Sequence, residues 1–270
     1  MAHLPRVAYA VARQPCSRPK IPRGVLLAGL IPASMVRAMT DQNALKRAVA
    51  AKALEYVQPG MKLGLGSGST AEIFVELLAA HPSAKSLACV PTSEKTAALA
   101  RKLGLTLAEL DDAAPLDLTI DGADEADRDL NLIKGGGGML LREKIVAAAS
   151  RQMVVIADAS KLVAKLGKYP LPVEVVAFGH KSSAARLALV LTSAGCSGVP
   201  MTLRQQGGAV FKTDSGNVIY DIAFGAIQDA AKLAAAVSAV PGVVEHGLFI
   251  GIATTLLIAR PDGTEVIERA

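Results

Sequence analysis

Four consecutive glycines, Gly135 to Gly138, interrupt the chain at its middle, and their flanks narrow the possible folds more than any other feature. Ahead of them an apolar alternating run, Leu116, Leu118 and Ile120, reads as a strand. It stops on an acid cluster of Asp121, Asp124, Glu125, Asp127 and Asp129, and Lys134 directly precedes the glycines. Behind them a helical pattern carries Arg142, Glu143 and Lys144. Strand, carboxylates, lysine, glycine loop and helix start is the order in which α/β proteins gather chemistry at the carboxyl ends of their strands. Four glycines cost too much chain entropy to be filler inside an ordered domain. They suit a loop whose N–H groups approach a ligand closely, at a helix N-terminus that already favours anions.

On that helix the three consecutive charges fan around the axis at about 100° per residue. Glu143 has Leu140, Val146 and Ala147 on its own face and no basic residue three or four positions away. The opposite stripe, Leu141, Ile145 and Ala148, is apolar as well. One charge is therefore expected to point inward, and Glu143 is the candidate. The competing reading is an exposed glutamate on an ordinary surface helix, because acids are rarely buried.

Upstream lies a second polar turn. A strand over 61–65 runs into Gly66-Ser67-Gly68-Ser69-Thr70, and a helix continues through Leu78. Strand, glycine-hydroxyl turn and helix hold phosphate with backbone amides and hydroxyls. Gly66 to Ala71 also fits the G-x-G-x-x-A dinucleotide fingerprint, but the next strand ends in Pro91-Thr92-Ser93 and not on the acid that would hold a ribose. A third strand, Met153 to Ala157, delivers Asp158-Ala159-Ser160-Lys161. Lys161 could meet an anionic ligand, against the plainer reading of a solvated lysine. From Tyr169 the pattern becomes β-α-β-β-α, with a hairpin expected about Asp214-Ser215-Gly216, and Pro241-Gly242 marks its end. This predicts an α/β fold in which a Rossmann-like layer, 40–170 with 241–270, carries an inserted smaller α+β domain, 171–240.

Residues 1–39 hold six arginines and lysines and no acid, so the formal charge of +5 leaves −1 for the rest. The body thus lacks the basic patch that nucleic-acid binding wants. The extension reads either as a targeting peptide or as an upstream start, with Met39 the true first residue, and it is expected to be disordered. Its apolar run, 24–36, is too short to span a membrane, and no membrane association is expected. Three scattered cysteines, Cys16, Cys89 and Cys196, fit neither a disulfide framework nor a zinc site and point to a reducing compartment. Four histidines (His3, His81, His180, His246) show no ligand-like spacing, and Asp121-Gly122-Ala123-Asp124-Glu125 lacks the EF-hand pattern, so no metal is expected.

Taken together these segments resemble the type A ribose-5-phosphate isomerases of the pentose phosphate pathway. The likeness covers nearly all of 40–270. It rests on Gly66 to Thr70, Asp121 to Glu125, Ile133 to Gly137 and Arg142-Glu143-Lys144-Ile145, followed by Ile156 to Lys161, Leu171 to Val175 and Pro241 to Val244. It implies an aldose–ketose isomerase that needs no metal or organic cofactor, cytoplasmic unless the extension is a genuine transit peptide, and assembled as a homodimer or tetramer. By position it implies Glu143 as the base between C1 and C2. Asp121 and Lys134, with Asp124 beside them, would handle ring opening and the hydroxyl oxygens. Gly122, Ala123 and the Gly135, Gly136 and Gly137 loop would line the sugar, and Ser67, Gly68, Ser69, Thr70, Lys161 and Lys46 the phosphate. Many members have Thr at Ser67, and Gly138 to Leu141 replaces a more alanine- and threonine-like run. A sugar-phosphate sensor would need a DNA-binding helix-turn-helix that the proline-rich 1–39 does not offer, and a dinucleotide oxidoreductase lacks its ribose acid.

Overall fold

The computed structural model describes residues 33–269. The disorder expected for the extension lies outside the described residues as far as residue 32. Helix α1 (Ala33–Ala53) begins inside the segment expected to be disordered, and it turns Val49, Ala50 and Ala53 into the core. Strand β1 (Lys62–Leu65) feeds through the glycine-hydroxyl turn into α2 (Ser69–Ala79). Spacing of i, i+3, i+4 and i+7 puts Ala71, Phe74, Val75 and Leu78 on one buried face of α2. Each of the larger of these contributes about 1.5–3 kcal/mol by leaving water. After β2 (Ala88–Pro91) comes α3 (Glu94–Lys102), whose start is fixed by Ser93: its hydroxyl accepts the Thr96 N–H. Beyond α3 the chain rejoins the sheet only through a single bridge between Leu107 and Cys89.

A one-turn helix, α4 (Leu110–Ala113), precedes β3 (Leu118–Asp121). All four residues of β3 are buried, so its alternating pattern conceals a strand covered on both faces; Thr119 survives there by sharing a hydrogen bond with the Ser150 hydroxyl at 2.6 Å. Short strands β4 (Glu125–Ala126) and β5 (Leu132–Ile133) lead through the four glycines to α5 (Leu140–Ala148), and β6 (Met153–Asp158) follows, buried throughout.

The remaining elements are β7 (Leu171–Val175), α6 (His180–Ser193), β8 (Met201–Leu203), β9 (Gln205–Gln206), β10 (Ala209–Val210), β11 (Val218–Ile222) and α7 (Ala230–Ser238). Then come β12 (Val243–His246), β13 (Leu248–Phe249), β14 (Thr255–Arg260) and β15 (Gly263–Glu268). The hairpin of this region differs from expectation. It turns at Gly207-Gly208 between β9 and β10, while the Asp214-Ser215-Gly216 turn joins no strand pair: Thr213 bonds to Asn217 only as a local loop closure.

The main sheet has the order β15-β14-β6-β3-β1-β2, parallel from β2 to β14, with β15 antiparallel on the edge. A four-stranded antiparallel sheet, β12-β7-β11-β8, carries α6 and α7, and it recruits its edge strand β12 from beyond residue 240. Between them β13-β5-β4 forms a small antiparallel patch that includes the strand leading into the glycine loop. Cys89 is buried, which raises its thiol to about 12, and Cys196 is free and half-buried.

Candidate active site

In a parallel sheet the strand order reverses where one connection goes left and the next goes right, and the crevice at that point is left open. Here the reversal lies at β1, with β2 on one side and β3 on the other, so the loops after β1 and β3 part to form a crevice. A cleft of about 430 Å³ opens there. Gly66 is required by close approach: a Cβ on it would sit inside the carboxylate of Asp121. At Gly135 φ is +103°, and a side chain would also strike Leu140, the residue that anchors the start of α5.

Three charges are stacked behind the floor of the cleft. Asp121 ends β3 with no solvent exposure. One of its carboxylate oxygens accepts the N–H of Gly122 at 2.7 Å and of Ser67 at 3.1 Å; the other lies 2.9 Å from the Lys134 ammonium. Lys134, 3% exposed, also donates to the Gly122 carbonyl at 2.6 Å and stands 3.3 Å from Glu143. Glu143, 5% exposed, projects from α5 into the cleft. Its Oε2 lacks a well-aligned hydrogen-bond donor, as does the Lys134-facing oxygen of Asp121; both contacts with the ammonium are electrostatic. The inward charge expected on this helix is therefore Glu143, but Lys144 is half-buried as well. It donates to Glu245 at 2.7 Å and to the His246 carbonyl at 2.6 Å, and Ile145 is left half exposed. Helix α5 is wedged between two layers, which lets neighbouring charges bury on different sides.

The electrostatics follow from one cation serving two carboxylates. Burial raises the Glu143 carboxyl to about 8, opposed by Lys134 and reinforced by Asp121 and Asp124. Burial raises Asp121 as well, opposed by Lys134 and by two amide donors. Burial alone would lower the Lys134 ammonium; Asp121 and Glu143 outweigh it and push it above the usual lysine value. The result is a fixed Asp–Lys ion pair beside a carboxyl poised to exchange protons near neutral pH.

The other expected residues line the same cleft. Asp124 accepts the Gly136 N–H at 2.7 Å, and Gly122, Ala123, Gly135 and Gly137 form the adjoining wall. Gly68 precedes α2, with Ser69 and Thr70 in its first turn; Lys46 reaches over from α1 to donate to the Ser69 hydroxyl at 2.9 Å. Lys161 stands in the short turn after β6. Ser67 lines the cleft with its hydroxyl turned to those of Thr92, Ser93 and Thr96 at 2.8, 2.9 and 3.2 Å, so its side chain braces the loop after β1. Gln42, Ser93 and Lys95 also line the cleft and are absent from the site residues read from the sequence. Ser93 could have been found from its place at a strand's carboxyl end; Gln42 and Lys95 lie on helices with no distinguishing pattern. Two of the histidines serve as bracing: His180 bonds to Tyr220 at 2.8 Å, and His246 is buried against Lys144 and Ser238. Among the described residues, no three His, Cys, Asp or Glu side chains converge as a ligand set for a metal, and no helix is long and apolar enough to cross a membrane.

Comparison with known proteins places this arrangement among relatives. Residues 88–263 match the family described as ribose 5-phosphate isomerase A (phosphoriboisomerase A). A curated ribose-5-phosphate isomerase A of Parvibaculum lavamentivorans is 55% identical over 224 residues, 83% of this chain and 97% of the relative. One of Nitrobacter hamburgensis is 54% identical over 84% and 98%. Among solved structures, ribose 5-phosphate isomerase from Plasmodium falciparum superposes with a TM-score of 0.79 at 38% identity, covering 84% of this chain and 98% of that one. A D-ribose-5-phosphate isomerase solved in complex with phospho-erythronic acid does so with a TM-score of 0.78 at 33% identity, over the same shares.

Proposed function

The chain belongs to the ribose 5-phosphate isomerase A family, and from that premise we propose that Glu143 is the base of its reaction. The protein is an aldose–ketose isomerase that interconverts ribose 5-phosphate and ribulose 5-phosphate. The observation that carries the assignment is the placement of Glu143, buried, cleft-facing and 3.3 Å from a lysine that is itself paired with Asp121.

Isomerisation moves a proton from C2 to C1 and back, through an enediolate whose oxygens carry the displaced charge. A carboxylate with a pKa near 8 accepts a carbon-bound proton far better than one at its ordinary value, and stays available at cellular pH. Lys134 and the amides of Gly135 and Gly137 meet the enediolate oxygens, while the Gly136 amide is taken by Asp124; one such preorganised donor is worth about 3 kcal/mol in the transition state. Asp121 keeps Lys134 charged and placed. Together with Asp124 it assists the proton movements of ring opening. Ser69, Thr70, the amide end of α2, Lys46 and Lys161 take the phosphate, with Ser67 and Gly68 shaping the turn, and that remote binding holds C1 and C2 against Glu143. The related isomerase's ligand, a phosphorylated four-carbon acid, has the charge and size this cleft suits.

The same reading places the enzyme in the cytoplasm, in the non-oxidative branch of the pentose phosphate pathway, as a homodimer or tetramer that needs no metal. The catalytic layer is 40–170 with 241–270; the smaller α+β layer, 171–240, borrows Val243–His246 for its sheet. A coupled assay with ribose 5-phosphate in excess chelator tests the core of it. Full turnover is expected, and loss of activity on chelation, restored by metal, would overturn the cofactor-free scheme.

A further inference from the structure

The glycine loop is gripped from outside the catalytic layer. Arg204, which follows β8 in the smaller sheet, is 14% exposed and forks onto Asp221 of β11, with Nε 2.8 Å from one carboxylate oxygen and the second nitrogen at 2.5 Å from the other. Its remaining amino group donates to two consecutive carbonyls of the loop, Gly135 at 2.8 Å and Gly136 at 3.2 Å. The guanidinium also lies over the ring of Phe211, 5.8 Å from its centroid, and that ring packs where Gly138 has no side chain. A planar trans peptide sets the N–H of one residue antiparallel to the carbonyl of the residue before it. Pulling the Gly135 and Gly136 carbonyls toward Arg204 therefore turns the Gly136 and Gly137 N–H groups away from it. The first lands on Asp124 at 2.7 Å; the second has no protein acceptor among the described residues and belongs to a glycine that lines the cleft.

We propose that Arg204, braced by Asp221, is a positioning residue for the isomerisation: it locks two peptide planes of the glycine loop, holding Asp124 with one amide and aiming the Gly137 amide at the enediolate oxygens. This rests on the reading of the loop as an oxyanion site. A bidentate guanidinium suits the task because it fixes an orientation as well as a charge, which a lysine ammonium does not. Carbonyls bonded to a cation also make the amides behind them stronger donors.

The role is tested by kinetics on the full chain. Arg204→Met is expected to lower kcat by about 10–100-fold, short of the loss of a whole oxyanion donor, with KM for ribose 5-phosphate within about threefold of the parent. Binding of a phosphorylated four-carbon hydroxamate, a planar mimic of the enediolate, should weaken in step with kcat, while binding of inorganic phosphate stays unchanged. Arg204→Lys should recover little. If Arg204→Met does not fold, Asp221→Asn reports on the same fork and should give a several-fold fall in kcat with the same split. Unchanged kcat, or parallel losses in kcat and in phosphate affinity, would overturn the proposal. Gly137→Pro deletes the amide proton itself and separates the two claims. A fall in kcat there with normal Arg204→Met leaves the oxyanion site standing and removes Arg204 from it; normal turnover in Gly137→Pro removes both.

Discussion

At the proposed reactive end of the cleft, Asp121, Lys134 and Glu143 are withdrawn from solvent, whereas at the far end Lys46 and Lys161 are half-exposed and Ser69 and Lys95 exposed. Both ends handle charge, but in opposite ways. The buried end keeps one cation between two carboxylates in a low-dielectric setting, where each group sets the protonation of the others. Removing the cation leaves carboxylate charge that water cannot reach. The far end gathers side chains that stay hydrated, so each is a small and replaceable contribution. The difference teaches where rate and where affinity reside: perturbation of the buried end should register in kcat and in folding, and perturbation of the far end in KM.

The contrast breaks most readily at Lys134. Lys134→Met should lower kcat by about 10²–10³ and destabilise the fold by about 3–5 kcal/mol, because Asp121 is stranded without its cation. Denaturant unfolding and steady-state kinetics on the same preparation check both; a stable variant with only a raised KM would erase the distinction between the two ends. Next in size is the pH response. With Glu143 raised to about 8, kcat/KM should climb close to tenfold per pH unit up to that value and then level. Stability should move the other way. A carboxyl whose folded pKa exceeds its unfolded one contributes stability that is complete below about 4.5 and lost as pH rises through about 8. Glu143→Gln should remove that slope from the unfolding free energy. The smallest effect is expected from Lys161→Ala, a KM raised about tenfold, equal to one charge-assisted hydrogen bond, with kcat near normal. An unchanged KM would take Lys161 out of the phosphate end.

How legible this was depends on what kind of signal each residue leaves. Lys134 and Glu143 stand out because charges amid apolar neighbours and glycines conflict with local pattern, and such conflicts mark sites. The turn at Gly66 to Thr70 is legible for the same reason. The inward turn of Lys144 was not, since it depends on a second layer, and Glu245 lies about a hundred residues away in sequence. Neither was the turning of the Ser67 hydroxyl toward Thr92, Ser93 and Thr96, because rotamers follow packing and not composition. In the smaller layer the Asp214-Ser215-Gly216 signal pointed to a hairpin, although the paired strands turn at Gly207-Gly208. Asp214 instead accepts the Glu94 N–H at the start of α3, at 3.0 Å. Arg204 left no mark at all: an arginine between two short strands becomes visible only when the loop it grips is seen.

The account turns on proton transfer by Glu143, and isotope exchange reads that step without depending on product release. Ribose 5-phosphate incubated in D₂O should take up deuterium at the transferred carbon position with the parent enzyme. With Glu143→Gln the exchange and kcat should both fall by about 10²–10⁴, while substrate binding is retained. Exchange in Glu143→Gln at close to the parental rate would contradict the assignment of the base and the reading of the buried end built on it.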